Sequence, residues 1–114
     1  MFARGWMIDK PKWVGAWYKI LEMFYKHEVP PQHIIETTKE IKRVQQFTNG
    51  EWKTEEVKLI FEVDEYIVIC TIRDTPAMPY VFWEVWYGLS KCGDDFETMI
   101  DILHKAREIF DLLK

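Results

Sequence analysis

Serine, asparagine and cysteine are nearly absent from this chain. Ser90 and Asn49 are the only residues of their types, and the two cysteines, Cys70 and Cys92, lie far apart in the sequence. Two distant cysteines favour free thiols over a disulfide framework, and the lone serine has no Gly-x-Ser-x-Gly context for a nucleophile. Because Lys and Glu are abundant while amides are scarce, the composition is typical of a hyperthermophilic source.

Long apolar runs and basic excess are also missing. No apolar run approaches the ~18–20 residues that cross a bilayer, and the first residues contain no long apolar stretch, so we expect a cytoplasmic protein with no membrane association and no signal peptide. The net charge of −4 disfavours nucleic-acid binding, which needs Lys and Arg to displace counterions from phosphates. The five glycines stand singly, so neither a P-loop nor a Gly-x-Gly-x-x-Gly motif occurs.

Aromatic residues are the conspicuous excess. The chain holds six Trp, five Tyr and seven Phe among 114 residues, and aromatic side chains carry large burial energies and are enriched at interfaces. The length suits one hydrophobic core, so we predict a single domain over residues 1–114.

Amphipathic helices are predicted near both ends of the chain. Apolar residues recur with a 3.6-residue period from about Lys10 to His27 and again from about Asp94 to Leu113. Asp94 and Glu97 have the spacing of a capping box at the start of the second helix.

Strands are predicted between the helices. Apolar residues alternate from Val57 to Val63, and a two-residue turn at Asp64-Glu65 leads into Tyr66–Arg73. This turn pairs Val63 with Tyr66, Phe61 with Val68, Leu59 with Cys70 and Val57 with Ile72, all on one face. Tyr80–Leu89 is a further strand, because it is dense in aromatic and β-branched residues.

Residues 32–48 allow two interpretations. The turn signal Asn49-Gly50 predicts a hairpin with Phe47 opposite Trp52, but a regular register then sets Glu40 and Lys42 beside the apolar residues of the next strand. Either a β-bulge corrects that register, or the segment is a helix that ends at Asn49-Gly50. We favour the strand.

These elements predict an α+β fold of order α-β-β-β-β-α. An antiparallel meander of three to four strands is flanked by N- and C-terminal amphipathic helices, which cover one sheet face in two layers. The other face then carries a surplus of apolar side chains: Ile60, Ile67, Ile69, Tyr80, Phe82 and Trp86.

The surplus face indicates association, because large apolar patches are rare on monomers. The leading hypothesis is a non-enzymatic interaction or regulatory protein that forms a homodimer through this face. Another protein partner, or a terminal helix that crosses to this face, would also cover it. A small virus- or plasmid-encoded accessory factor fits this profile.

A second hypothesis is a hydrophobic-ligand binder. Its pocket would lie between helix and sheet and be lined by Trp13, Trp17, Trp83 and Tyr87, because small-molecule sites are mostly apolar.

Candidate catalytic groups are sparse, and we expect neither an enzyme nor a bound metal or cofactor. His27 and His33 flank the Pro30-Pro31 bend at a spacing that matches no established zinc signature. Cys92 precedes the predicted last helix, whose N-terminus would stabilise a thiolate, but Asp94 and its neighbour place negative charge nearby. We interpret Cys92 as an incidental thiol.

Overall fold

Five antiparallel strands form one open sheet in the order β1-β2-β3-β4-β5. The structure is a computed structural model that describes residues 12–74, 80–97 and 100–114. The fold is α+β, as predicted, with five strands instead of three to four. The strands are β1 (Glu40–Thr48), β2 (Glu51–Val63), β3 (Tyr66–Arg73), β4 (Tyr80–Tyr87) and β5 (Ser90–Glu97), and the helices are α1 (Lys12–Tyr25), α2 (Pro31–Glu36) and α3 (Ile100–Leu113).

The β2–β3 hairpin has the predicted register. Val63 pairs with Tyr66, Phe61 with Val68, Leu59 with Cys70 and Val57 with Ile72. Asp64 adopts a positive φ of 56° in the two-residue turn, which fixes the register that the alternating pattern requires.

The ambiguous segment 32–48 contains both a helix and a strand. The short helix α2 occupies its first part, and β1 pairs with β2 in the second, with Phe47 opposite Trp52. Glu55 is an extra residue in β2, because Val44 pairs with Glu56 while Gln45 pairs with Thr54. This β-bulge sets Ile41 opposite Leu59, so the bulge interpretation is confirmed.

Residues 90–97 correct the prediction for the last helix. They form β5 along the edge of β4, and Asp94 pairs with Glu84 instead of capping a helix. The chain reverses at Gly88, whose φ of +60° suits a tight hairpin turn. Pairing with β4 satisfies backbone groups that would otherwise lie on an open edge. The start predicted for the first helix, Lys10, lies outside the described residues.

The core lies between one sheet face and the helices. We call this the inner face; its buried residues alternate along β2, β3 and β4 and pack against the apolar sides of α1 and α3. They are Val57, Leu59, Phe61, Val68, Cys70, Ile72, Val81, Trp83 and Val85. Within the described part of the chain, no helix is both long and apolar enough to cross a membrane.

Candidate functional site

The face of the sheet away from the helices, called the outer face, carries the surplus apolar side chains. Each is half-buried, and none packs against the core cluster of the described residues. The register brings them together, since Ile60 pairs with Ile69, Ile67 with Trp86, and Thr71 with Phe82. The six are Ile60, Ile67, Ile69, Tyr80, Phe82 and Trp86, so the structure places all the predicted interface residues on one continuous surface.

Polar groups are interspersed on the outer face. The indole N–H of Trp86 donates to Glu84 at 3.2 Å. Lys91 lies 2.9 Å from Asp94, and its hydrogen bond to Asp94, with the negative charges of Asp94 and Glu84, raises its pKa. Thr71 is only 3% exposed, yet its hydroxyl has no hydrogen-bond partner among the described residues. The outer face therefore has Glu84 among its apolar residues, opposite Ile69, and ion pairs on both sides: Lys91 with Asp94 on β5, and Lys39 with Glu62 beside β2.

A small cavity lies between α1 and the β4–β5 end of the inner face. We call it the tryptophan cavity; its volume is about 80 Å³, and it is lined by Trp13, Trp17, Trp83, Val85, Gly93 and Asp94. It contains three of the four residues predicted to line a ligand pocket. The fourth, Tyr87, is 52% exposed and lies 5.7 Å from the ring of Tyr66 at the end of the sheet.

Gly93 allows the close approach of α1 to β5. A Cβ atom at this position would lie 2.5 Å from Cη2 of Trp13 and 2.7 Å from its Cζ2, far inside van der Waals contact. A larger residue would push the Trp13 ring away from the sheet, so Gly93 sets one wall of the tryptophan cavity. Sequence reasoning missed this role because no local pattern places Gly93 against the ring of Trp13, 80 residues earlier in the chain.

Two indole N–H groups of residues that line the tryptophan cavity have no acceptor among the described residues. Trp83 is 1% exposed, and its Nε1 and that of Trp17 are buried without a hydrogen-bond partner in the described ranges. Their ring centroids lie 6.4 Å apart in an edge-to-face arrangement, and Phe24 packs edge-on against Trp83 at 5.2 Å. Both nitrogens are enclosed by protein, so the tryptophan cavity presents mainly apolar ring surface to a ligand.

A larger groove of about 630 Å³ runs beside the end of α1 and includes His27, His104, Lys105 and Glu108. Burial lowers the pKa of Lys105, which in a cleft is often a mark of catalysis. Here the ammonium donates to three backbone carbonyls instead: Met23 at 3.0 Å, Val29 at 2.7 Å, and Lys26. With every N–H engaged, Lys105 is a structural connection between α3 and the end of α1.

The other candidate reactive residues stand apart. His33 does not line the groove that His27 lines, and no group of three or more His, Cys, Asp or Glu side chains in residues 12–74, 80–97 and 100–114 is arranged to hold a metal ion. Cys92 is a free, partly exposed thiol within β5. The helix N-terminus that was predicted to follow it is therefore not there.

The tip of the β1–β2 hairpin exposes two aromatic rings. Phe47 is 57% and Trp52 67% exposed, and their centroids lie 5.3 Å apart edge-on. The Asn49-Gly50 turn predicted their pairing, but not that both rings would be exposed.

Comparisons with protein-family models, curated proteins and solved structures gave no match for this chain. Inference about function therefore depends on the outer face and the tryptophan cavity.

Proposed function

We propose that this protein is a non-enzymatic interaction or regulatory protein that acts as a homodimer through the outer face. The observation that carries the proposal is the cluster of six half-buried apolar residues on the side of the sheet opposite the helices. A small virus- or plasmid-encoded accessory factor remains the class of protein that fits this profile.

The size of the outer face supports a second copy as the occupant. Five strands ~4.8 Å apart and about eight residues long, at ~3.3 Å per residue, give roughly 600 Å² per subunit. This approaches the ~800 Å² per partner of a standard protein–protein interface. Two such sheets can pack face to face about 10 Å apart, and a two-fold axis would place the apolar centre of one sheet against that of the other.

Light scattering across a protein concentration series tests the assembly. We expect the wild-type protein to have the mass of a dimer at high micromolar concentration. Trp86→Glu should remain folded as a monomer, because it replaces a large apolar ring of the interface with a carboxylate that dimerisation would have to desolvate. Trp52→Glu is the matched control: it makes the same substitution at the hairpin tip, away from the outer face, and should leave the dimer intact.

Three results would contradict a homodimer formed through the outer face. They are a wild-type monomer at high micromolar concentration, a Trp86→Glu protein that stays dimeric, and equal dissociation by Trp52→Glu. Since Trp86→Glu also removes the hydrogen bond to Glu84, Ile67→Lys provides a second variant on the neighbouring strand, and it should dissociate the dimer as well.

Binding of a small ligand is the second candidate function. The tryptophan cavity favours it, because Trp13, Trp17 and Trp83 converge on one space between helix and sheet. Native mass spectrometry of freshly purified protein tests this function, and a retained small molecule of constant mass is the expected result.

A further inference from the structure

We propose that two copies pack outer face to outer face with the two-fold axis along β3, so that Lys58 of the partner subunit pairs with Glu84 of each copy. This inference rests on the homodimer proposed above and names the residues through which a second copy completes the outer face. The evidence is that Lys58 and Glu84, both half-buried on that face, have no ion pair within the described part of the chain, and that they carry opposite charges.

The other described charges of the outer face form ion pairs with one another. With nitrogen-to-oxygen distances, these pairs are Lys39–Glu62 at 2.9 Å, Lys42–Glu40 at 3.8 Å, Lys53–Glu51 at 3.7 Å, Arg73–Glu56 at 4.0 Å and Lys91–Asp94 at 2.9 Å. Glu84 accepts a hydrogen bond from the indole of Trp86, but this neutral donor leaves its negative charge uncompensated. One positive and one negative charge therefore remain for a partner to neutralise.

Both unpaired residues also have a like charge as their cross-strand neighbour. Lys58 lies opposite Lys42 in the sheet, and Glu84 lies opposite Asp94. Like charges directly opposite each other destabilise a sheet, and the repulsion grows when a partner removes the surrounding water. An opposite charge supplied by another molecule would offset both repulsions.

The strand order places Lys58 and Glu84 symmetrically about the central strand. Lys58 belongs to β2 and Glu84 to β4, the two neighbours of β3 in the sheet of five strands. A two-fold axis along β3, between two facing sheets, sets β2 of one copy over β4 of the other, and all five strands then overlap. The axis also brings the outer side of β3, with Ile67 and Ile69, against the same residues of the second copy.

The register brings the two charges within reach of each other. Lys58 aligns with Phe82 through Thr71, and Phe82 is two residues from Glu84 along β4. Two residues correspond to ~6.6 Å along a strand and facing sheets lie ~10 Å apart, so the two Cα atoms would be about 12 Å apart. Extended lysine and glutamate side chains together span this distance, and the symmetry forms the pair twice.

A two-fold axis across the strands fits less well. It would set β2 over β2 and β4 over β4, so each unpaired charge would face the strand that carries the same charge in the second copy. Burial of a charge without an opposite partner is costly. The axis along β3 is therefore the arrangement that buries both residues as pairs.

Charge reversal tests the pairing in the full chain at an ionic strength of about 0.15 M, which screens distant charges. Glu84→Lys sets lysine against lysine across the interface, and Lys58→Glu sets glutamate against glutamate. Sedimentation equilibrium should show that each variant alone dimerises at least about a hundredfold more weakly than the wild type. In an equimolar mixture each reversed charge meets its opposite, so the dimer should return to within about tenfold of the wild-type affinity.

Lys91→Glu is the matched control for net charge. It changes the charge of the chain as much as Lys58→Glu does, but it lies on β5, which the proposed axis sets over β1, so a mixture with Glu84→Lys should not restore the dimer. If circular dichroism shows that a reversed variant does not fold, Lys58→Gln and Glu84→Gln replace the pair. Each should weaken the dimer because it leaves one charge unpaired, and the double variant should recover most of the affinity.

The outcomes separate the pairing from the homodimer on which it rests. The pairing and the axis along β3 are overturned, while the homodimer stands, if the wild type dimerises but the reversed variants dimerise equally well. The same conclusion follows if their mixture stays monomeric, or if Lys91→Glu restores the dimer as effectively as Lys58→Glu. A wild-type monomer at high micromolar concentration overturns both.

Discussion

Lys105 makes three long-range hydrogen bonds to backbone carbonyls at the end of α1, and its replacement tests how much they stabilise the fold. Its ammonium donates to the carbonyls of Met23 and Val29 at 3.0 and 2.7 Å and to that of Lys26. These carbonyls belong to the last turn of α1 and the bend that follows it, while Lys105 belongs to α3. One side chain thus donates to backbone carbonyls at a helix end, where carbonyl groups lack partners within the helix.

Lys105→Met keeps the length and most of the apolar stem of the side chain but removes all three donors. A hydrogen bond to a charged group contributes ~1.5–3 kcal/mol. Three such bonds to one ammonium do not add, because the ion is desolvated once for all of them. We therefore expect the free energy of unfolding to fall by about 2–3 kcal/mol, which corresponds to roughly 10 °C in the midpoint of a thermal melt.

Urea denaturation and calorimetry measure this loss, with Lys19→Met as the matched control. Lys19 also forms an ion pair, 3.1 Å from Asp64, but its side chain is 62% exposed, and exposed pairs contribute only ~0–1 kcal/mol. A loss for Lys105→Met that is no larger than the loss for Lys19→Met would refute the structural role that we assign to Lys105.

Substitutions at two glycines test the packing of α1, and a substitution at a buried cysteine tests how stability depends on pH. Gly93→Ala should destabilise the protein by about 1–3 kcal/mol, because the new Cβ would overlap the Trp13 ring. Gly15→Ala is the control: the new Cβ has nothing within 4 Å, so it should stabilise α1 by ~0.5–1 kcal/mol. Denaturant melts that show the same change for both variants would contradict the close approach of Trp13 to Gly93. Burial raises the pKa of the Cys70 thiol, so above the ordinary thiol pKa of about 8.5 the unfolded chain loses a proton that the folded one keeps. The equilibrium constant for unfolding should then rise by up to about tenfold per pH unit. Cys70→Val should remove this part of the pH dependence, and parallel pH profiles of stability for the two proteins would refute the thiol's contribution.

The β2–β3 hairpin could be predicted fully, because its constraints are local. A two-residue turn at Asp64-Glu65 and strict alternation both specify the same register, and a shift by one residue would expose Leu59 and bury charge. The pairing of Phe47 with Trp52 followed from Asn49-Gly50 in the same way. The bulge at Glu55 could be predicted only as one of two alternatives and without a position. Its position depends on the register that sets Ile41 opposite Leu59.

The fifth strand was missed because its determinants are not local. Asp94 and Glu97 have the spacing typical of a helix start, and no β-branched residue marks the segment as a strand. The unpaired edge of β4 and the reversal at Gly88 decide its conformation, and both belong to the assembled sheet. Local propensity is overridden when a tertiary partner satisfies a whole row of backbone groups.

The tryptophan cavity was predictable in part. Trp13 and Trp17 are four residues apart and so lie on one side of a helix, and Trp83 has the parity of the inner face. Tyr87 shares that parity but lies near the end of β4, where it is half-exposed. The burial of the Trp17 and Trp83 indole nitrogens without an acceptor among the described residues could not be foreseen, because it depends on atomic positions that no sequence pattern specifies.

The two candidate sites lie on opposite faces of the sheet, and this bears on how strongly the protein would dimerise. The inner face has a complete core within one chain, from Phe24 and Trp83 to Ile109, so a monomer has the buried surface it needs to fold alone. On the outer face the neighbours already cover much of each apolar side chain, to the point that Thr71 is almost fully buried. Only the remaining exposed surface can contribute to association, and it must offset the loss of rigid-body freedom. We therefore expect a dimer of folded monomers that dissociates on dilution, and a ligand site whose occupancy is independent of it.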